Sequence, residues 1–542
     1  MIKIRLISLF IFCVSSVGCF AGNYFVDAAK GSDRNDGHSA ATAFRTLERA
    51  SKVKFGAGDV LYLASGQTHR GTLELIRAGG SAKSPFKVTS TGAEKAVIDA
   101  KGYPNGILID NCSNIIIENL SVTADGGGMV RKEDANAPMR CGVFITATST
   151  GNYSNIGVRN VDIHKVYYEE PGFVRDPKEV DTPNGTQKYG WGVRVIVDRP
   201  DVSLSGISVE GCDISLVSHT GIRFTGKPGS AASISDVRVI GNKVNTIGGP
   251  GIQFASVKGG YVSGNDIDHS GDNSDSRHWG RGSCLWTWGS EDFQIERNRF
   301  QHANGPADSA GAHIDFGCRN IVIQYCLSAN NGGGFCEILG NNYNCSYRYN
   351  VSVDDGYRIS GQALAFQEGK TIWYSGYVGK RQKRNGPFNS YVYNNTIYLR
   401  KDVTAKMAIE NTSLGICMVN NIFCIEGEAK TVLGDQYSPE KLGESQLANI
   451  VFTNNLFLHQ ESWPGDNIKD AHPLYGDPGF ATPGGVAVSD YIPSNRELVR
   501  QGVRVEKLPG DKVGLKIGLD VDKDILGNAI GAVPCIGAIY VR

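Results

Sequence analysis

The densest run of chemically capable residues in this chain is Asp308-Ser309-Ala310-Gly311-Ala312-His313-Ile314-Asp315-Phe316-Gly317, followed shortly by Gly332-Gly333-Gly334-Phe335-Cys336-Glu337-Ile338-Leu339-Gly340. Carboxyl groups are what glycosidic cleavage needs in pairs, one to give a proton and one to attack or to activate water. Ile314 and Phe316 alternate with His313 and Asp315, which predicts a strand that buries the first two and turns His313 and Asp315 onto one outer surface. Glu337 follows 22 residues after Asp315. If that interval is one turn of a stacked fold, strands about 4.8 Å apart would set the two carboxyls about 5–6 Å apart on a shared face, as in a retaining glycosidase. Burial beside a second carboxylate would then keep one of them protonated. Were Gly340 to stack on Gly317, Glu337 would align with Ile314 and point inward. The cost of burying an unpaired carboxylate argues for an outward Glu337. Asp308 and Glu368 are loop acids that could act as a base or contact substrate.

A short phrase, apolar-x-x-Asn-x-apolar, repeats along the chain around these residues. It occurs at Asn242, Asn265, Asn298, Asn350, Asn395, Asn421 and Asn454, with Leu120, Val161, Cys212 and Cys326 in the Asn place elsewhere. Most steps are 23 to 33 residues, the length of one coil of a parallel β-helix. Asn tolerates the left-handed conformation at a tight bend, and stacked Asn amides can bond to one another in a ladder. The segments between are brief, rich in Val, Ile, Phe and Tyr, and bounded by Gly and Asn, with no competing helical stripe. The period is too short for a propeller, and a leucine-rich pattern is absent. The expected fold is therefore all-β, a right-handed parallel β-helix over 105–458, with 22–104 as an opening cap and 459–542 as a closing segment.

Three overlong steps mark where a regular solenoid would swell into loops, and loops on a rigid scaffold carry function. The first, before Cys212, holds Tyr167, Tyr168, Glu169, Glu170, Phe173, Arg175, Tyr189 and Trp191. The second holds Asp272, Arg277, His278, Trp279, Arg281, Trp286 and Trp288, and the third holds Glu368, Lys370, Trp373, Tyr377 and the basic run Lys380 to Arg384. Aromatic rings offer flat faces to sugars, and Arg or Lys can bind carboxylate or sulfate. Trp279, Arg277, His278, Arg281, Trp286, Arg358, Glu368, Lys370, Trp373 and Tyr377 are thus candidate substrate contacts, and the third loop's charge leans toward an acidic or sulfated glycan.

The opening stretch Tyr24-Phe25-Val26-Asp27, Gly31 to Gly37 and Phe44 to Ala50 resembles that of exported, pectate-lyase-like β-helix enzymes acting on polysaccharides, with a capping helix before the first coil. Asp477-Pro478-Gly479-Phe480 and Ile536-Gly537-Ala538 resemble the closing segment of the same group. Around the candidate acids, an Asp followed one coil later by apolar-Glu-x-x-Gly resembles the retaining β-helix β-xylosidases. That resemblance implies Asp315 as nucleophile and Glu337 as acid/base, although the family's inserted β-sandwich is missing. Asp354-Asp355 resembles the paired Asp of inverting β-helix glycosidases, and Asp-Asp-Gly is equally an ordinary turn.

Two other readings remain open beside a hydrolase. A lyase acting on uronates would draw its base and charge neutralisation from Arg277, His278, Arg281, His313, Arg319, Arg348, Arg358 or Lys370, with Ca²⁺ as the one cofactor that reading would bring. A non-catalytic glycan binder would need aromatic rings without a working acid pair.

The first 21 residues have the pattern of an export signal: Lys3 and Arg5, the apolar run Leu6 to Val17, and a small-residue exit at Ala21. A lipidated Cys19 fits less well, because Ser16 stands where Leu is wanted. No later stretch is apolar enough to span a membrane. Lys plus Arg and Asp plus Glu are equal at 55 each, so no positive field points to nucleic acid. Glycine makes up 68 of 542 residues, well above the usual roughly 7%, as a fold of many tight turns requires. The eleven cysteines after Ala21 show no CxxC pair, so core residues, with at most one bridge among Cys318, Cys336 and Cys345, are expected and no metal site. The protein reads as an exported, periplasmic or secreted monomer whose partner is a polysaccharide or oligosaccharide.

Overall fold

The computed structural model describes residues 21–229, 233–434, 447–465 and 468–542. The signal and its Cys19 lie outside them. Among the described residues three parallel sheets run the length of the molecule: a first of 14 strands that includes Ile115–Glu118, a second of 14 that includes Leu120–Asp125, and a third of 12 that includes Asn105–Asp110. Each coil contributes one strand to each sheet in turn, as Asn105–Asp110, Ile115–Glu118 and Leu120–Asp125 do. This is a parallel β-helix. Its core is made of aligned stacks of like residues, such as Ile109, Ile145, Val195 and Phe224 on successive strands. With a period of two, every residue between those stacked ones faces outward.

The repeated Asn marks the bend between the first and second sheets. Asn242 donates its side-chain amide to Asn265 at 2.8 Å and Asn265 to Asn298 at 2.9 Å. A second run links Asn350, Asn395, Asn421 and Asn455 at 3.0 Å per step. Cys212 and Cys326 occupy the same place, each backbone N–H donating at 2.9 Å to the next Asn. Two details differ from the sequence reading. The last rung is Asn455, not Asn454, and the left-handed residue is the one before the ladder Asn. Arg297, Tyr325, Tyr349, Asn394, Asn420 and Asn454 all have φ between 52° and 57°. This leaves the ladder Asn free to point inward and bond along the stack.

A five-residue helix, Leu47–Ser51, is seated at the N-terminal end with Leu47 and Ala50 buried. Residues beyond 468 run back along the outside of the first and second sheets. Val505, Leu508 and Leu515 cover Tyr391 and Tyr393, and Ile525 and Ile536 pack with Tyr398 and Ile422. The outer face of the third sheet is left to the loops. All eleven described cysteines are free and buried, so the bridge considered among Cys318, Cys336 and Cys345 does not form.

Candidate active site

The third sheet sets out a row of outward residues, one per strand: Arg194, Arg223, Gln253, Trp286, His313 and then Glu337 and Trp373. Ile314 pairs with Ile338, a stagger of 24 residues, so Glu337 stands opposite His313 and faces outward. Gly317 N–H donates to Gly340 O at 3.0 Å, which in a parallel ladder places Gly317 beside Asn341 and not on Gly340. Asp315, whose N–H donates to Thr287 O at 2.8 Å, continues the strand and faces the same way. It is therefore diagonal to Glu337, with Cα atoms about 8 Å apart, and not directly opposite it. Phe316 does not turn inward as its alternation suggested. The strand ends beforehand, and Phe316 rests half-buried between Trp288 and Tyr377.

Over this face the loops enclose a cavity of about 370 Å³. Its floor is Trp286, His313, Asp315, Glu337 and Trp373, and its walls bring in Arg281, Asp308, Gln367, Tyr377, Lys380, Asp181 and Pro183. Of the candidates named from sequence, the fold gathers Asp308, His313, Asp315, Glu337, Arg281, Trp286, Trp373 and Tyr377 here. Asp181 and Gln367 went unnoticed, since neither residue type nor setting distinguishes them in the chain.

The other candidates support the cavity instead of lining it. Trp279 is buried, donating its indole N–H to Glu179 O at 3.0 Å and stacking on His219. Arg277 lies over Tyr167 and is tied to Asp125 and Asp275, while His278 sits between Asp272 and the Tyr167 hydroxyl. Glu368 pairs with Lys406 at 2.8 Å. Lys370 lies over the Trp373 ring with its ammonium on Glu368 O. Arg358 donates to the carbonyls of Gly305, Asp308 and Gln367. The Asp354-Asp355 pair does not line the cavity: Asp355 points inside and bonds Asn331 and Ser352, and Asp354 binds Arg400.

Each acid in the cavity has a different environment. Asp308 and Ser309 are both left-handed, with φ of 51° and 65°, a strained pairing that persists only where the surroundings impose it. They do so here. Gln367 accepts from the Asp308 N–H at 2.6 Å, Arg358 grips the Asp308 carbonyl, and Arg281 Nε donates to Asp308 Oδ2 at 2.7 Å. Burial pushes the Asp308 carboxyl up, but the charge and hydrogen bond of Arg281 outweigh it and hold the group below the usual carboxylate range. Asp315 receives hydrogen bonds from the Trp286 indole at 3.0 Å and the Phe316 N–H at 2.8 Å. Burial prevails over both and lifts it to about 7. Glu337 is raised well above its usual value by burial, with the Asp308 charge adding to it and Lys370 opposing.

His313 stacks in parallel on Trp286, centroids 5.4 Å apart, and its Nε2 lies 3.3 Å from Glu337 Oε1. Burial lowers the imidazole to about 4, so it is uncharged at neutral pH, and burial raises the Glu337 carboxyl beside it. Neither ring nitrogen of His313 makes an aligned hydrogen bond, and the indole N–H of Trp373 is likewise unmatched. Buried polar atoms of this kind ordinarily have partners, and here they face a cavity that could supply them. The one described cluster with metal-ligating spacing, Asp268, His269 and His302, is on the second sheet and takes no part in the cavity.

No protein-family model matches the sequence, and a search of curated proteins finds no relative. Solved structures do match. The crystal structure of the GH136 lacto-N-biosidase from Eubacterium ramulus is 19% identical, with 76% of this chain and 67% of that one covered and a TM-score of 0.52. XylC, solved with xylose, is 11% identical over 96% of this chain and 98% of its own, with a TM-score of 0.53. A rhamnogalacturonan lyase aligns at 11% identity over 78% and 90%, with a TM-score of 0.39. What the chain shares with the first two is a fold.

Proposed function

We propose that the protein is a glycoside hydrolase acting on a polysaccharide or oligosaccharide, with Asp308 as the ionised carboxylate and Asp315 as the proton donor. The carrying observation is the contrast between these two acids in one cavity, seven positions apart in the chain. Arg281 holds Asp308 charged, while burial, prevailing over the Trp286 hydrogen bond, keeps Asp315 protonated to about pH 7. Two carboxyls whose surroundings drive their protonation apart are how a fold assigns an acid and a base. This reverses the role that the β-xylosidase resemblance implied for Asp315.

Glu337, its carboxyl raised by burial beside His313, positions a substrate hydroxyl together with it. Trp286 and Trp373 offer the flat faces against which sugar rings pack. The two neighbours with TM-scores above 0.5 carry names of carbohydrate-active enzymes, a lacto-N-biosidase and a protein solved with xylose, which agrees with this chemistry. Elimination is less well supported, because Arg277, Arg281 and Arg358 are already engaged with carboxylates or carbonyls.

The test is a panel of neutral, uronate-rich and sulfated glycans, following new reducing ends together with the ultraviolet absorbance of an unsaturated uronate. Reducing ends without that absorbance are expected; both rising together would overturn the reading. On a cleaved substrate, kcat/KM should fall as pH rises through about 7, where Asp315 loses its proton. Asp308, held ionised, should keep the acidic limb below the ordinary carboxylate range. An alkaline limb unmoved in Asp315→Asn residual activity would exclude Asp315 as its source.

A further inference from the structure

Upstream of Trp286, the outward row of the third sheet holds Arg194, Arg223 and Gln253 on consecutive strands. The two arginines are 8% and 9% exposed and Gln253 is 2% exposed. Arg194 lies over the Trp191 ring at 4.2 Å, yet its Nε and Nη1 have no hydrogen-bond partner, and neither has the side-chain oxygen of Gln253. Arg223 meets only neutral groups, Asn184 Oδ1 at 3.1 Å and Thr225 Oγ1 at 3.3 Å.

Other buried arginines of this chain are compensated, Arg277 and Arg281 by carboxylates, Arg140 and Arg358 by backbone carbonyls. For this pair, the Arg194 charge bears on Arg223, and the Cys141 thiol beside Arg194 is kept uncharged by its burial. Two like charges withdrawn from water on neighbouring strands, with donors unmet, are costly unless an anion joins them. A guanidinium fork matches the oxygens of a carboxylate or sulfate.

The pair also stands in the same outward row as the cavity floor. Arg223 stands two strands before Trp286, roughly 10 Å away, within reach of an adjoining sugar ring. The loop that places Asp181 and Pro183 on the cavity wall also places Asn184 on Arg223.

We propose that Arg194 and Arg223 form a subsite for an acidic substituent of the glycan, a uronate carboxylate or a sulfate ester, beside the ring that sits over Trp286. This rests on the reading of the cavity as a glycosidase site. It makes the substrate an anionic glycan.

The experiment measures thermal unfolding and calorimetric binding of the intact protein with glucuronate, with sulfate and with glucose, at matched ionic strength. Sulfate stabilises most proteins by exclusion from their surface, so the readout is the difference between the natural protein and its variants. A saturable response to glucuronate or sulfate, absent with glucose and weakened at least tenfold in Arg194→Met and Arg223→Met, is expected. Which anion responds tells uronate from sulfate ester. Arg194→Met should also raise the Tm of the ligand-free protein, because it removes an unpaired buried charge. If that variant does not fold, Arg194→Lys keeps the charge, loses the fork and should still lose affinity. Equal responses in all variants, a response to glucose like that to the anions, or a lowered Tm in folded Arg194→Met would overturn the subsite. Asp315→Asn protein should retain the anion response. Hydrolysis without any anion response therefore removes this inference alone, and an anion response with fully active Asp308 and Asp315 variants removes the hydrolase reading alone.

Discussion

Asp315→Asn should lower kcat/KM at least about a thousandfold, near the upper range for losing a general acid, in a protein that folds as well as before. Asn keeps the shape, and its single amide oxygen can accept from the Trp286 indole or the Phe316 N–H, which now reach two different oxygens, but it has no acidic proton to give. The stability effect has a definite sign. Because burial raises Asp315 to about 7 in the folded protein, from an unfolded value of roughly 3.9, its contribution to stability is full below the unfolded value. That contribution is lost as pH rises through about 7. At pH 8 the Asn variant should therefore unfold at a higher denaturant concentration than the natural protein. Asp308→Asn should be equally inactive but differ in stability. It strips Arg281 of its charge partner, and breaking a buried pair costs about 3–5 kcal/mol. Kinetics and denaturant midpoints measured on both variants distinguish the roles. Two inactive variants with the same stability loss would contradict the electrostatics described for Asp315.

The second large effect concerns the ladder. Asn395 is fully buried, accepts from the Asn350 backbone and side-chain N–H groups, and donates to Asn421 Oδ1 and Tyr347 O. Asn395→Leu would match it in size, strand the Asn350 backbone N–H, and take one partner each from the Asn350 amide, Asn421 Oδ1 and Tyr347 O. At about 1–3 kcal/mol for each buried group stranded, the change should cost several kcal/mol, far more than a surface Asn→Leu. Hydrogen exchange should accelerate at the bends of the coils carrying Asn350 and Asn421. A variant with natural exchange at both bends would show that the ladder is ornamental.

The ladder was readable in the sequence because an Asn at a bend is a local signal that recurs once per coil. Its partner was not. The left-handed position before it is filled by Arg297, Tyr325 and Tyr349 as well as by Asn and Gly, so no residue type announces it. His313 and Asp315 were legible as an outward pair from strand alternation, whereas the stagger between their coil and the next depends on how two Gly-rich turns pack. Counting from Gly317 to Gly340 misses it by one. Trp279, Arg277 and His278 look like sugar contacts in the chain. They are buried because their loop folds back on Tyr167, Glu179 and His219, a tertiary event without a sequence mark. Asp308 was visible only as one acid among several. Its importance comes from Arg281 on one loop and from Arg358 and Gln367 on another.

The cavity sits on the strands Leu285–Trp288, Ala312–Ile314, Gly334–Ile338 and Lys370–Tyr374, well inside a third sheet that begins at Leu73–Ile76 and ends at Ala429–Thr431. In a linear stack each coil is held by its two neighbours, so loosening starts at the ends and travels inward. A protease nibbling at either end would have to peel away coils one by one before disturbing Asp308 or Asp315. For the exported glycosidase proposed here, that placement makes the interior coils a reserve of time. Activity should outlast the integrity of the termini, with the first clipped products still cutting glycan.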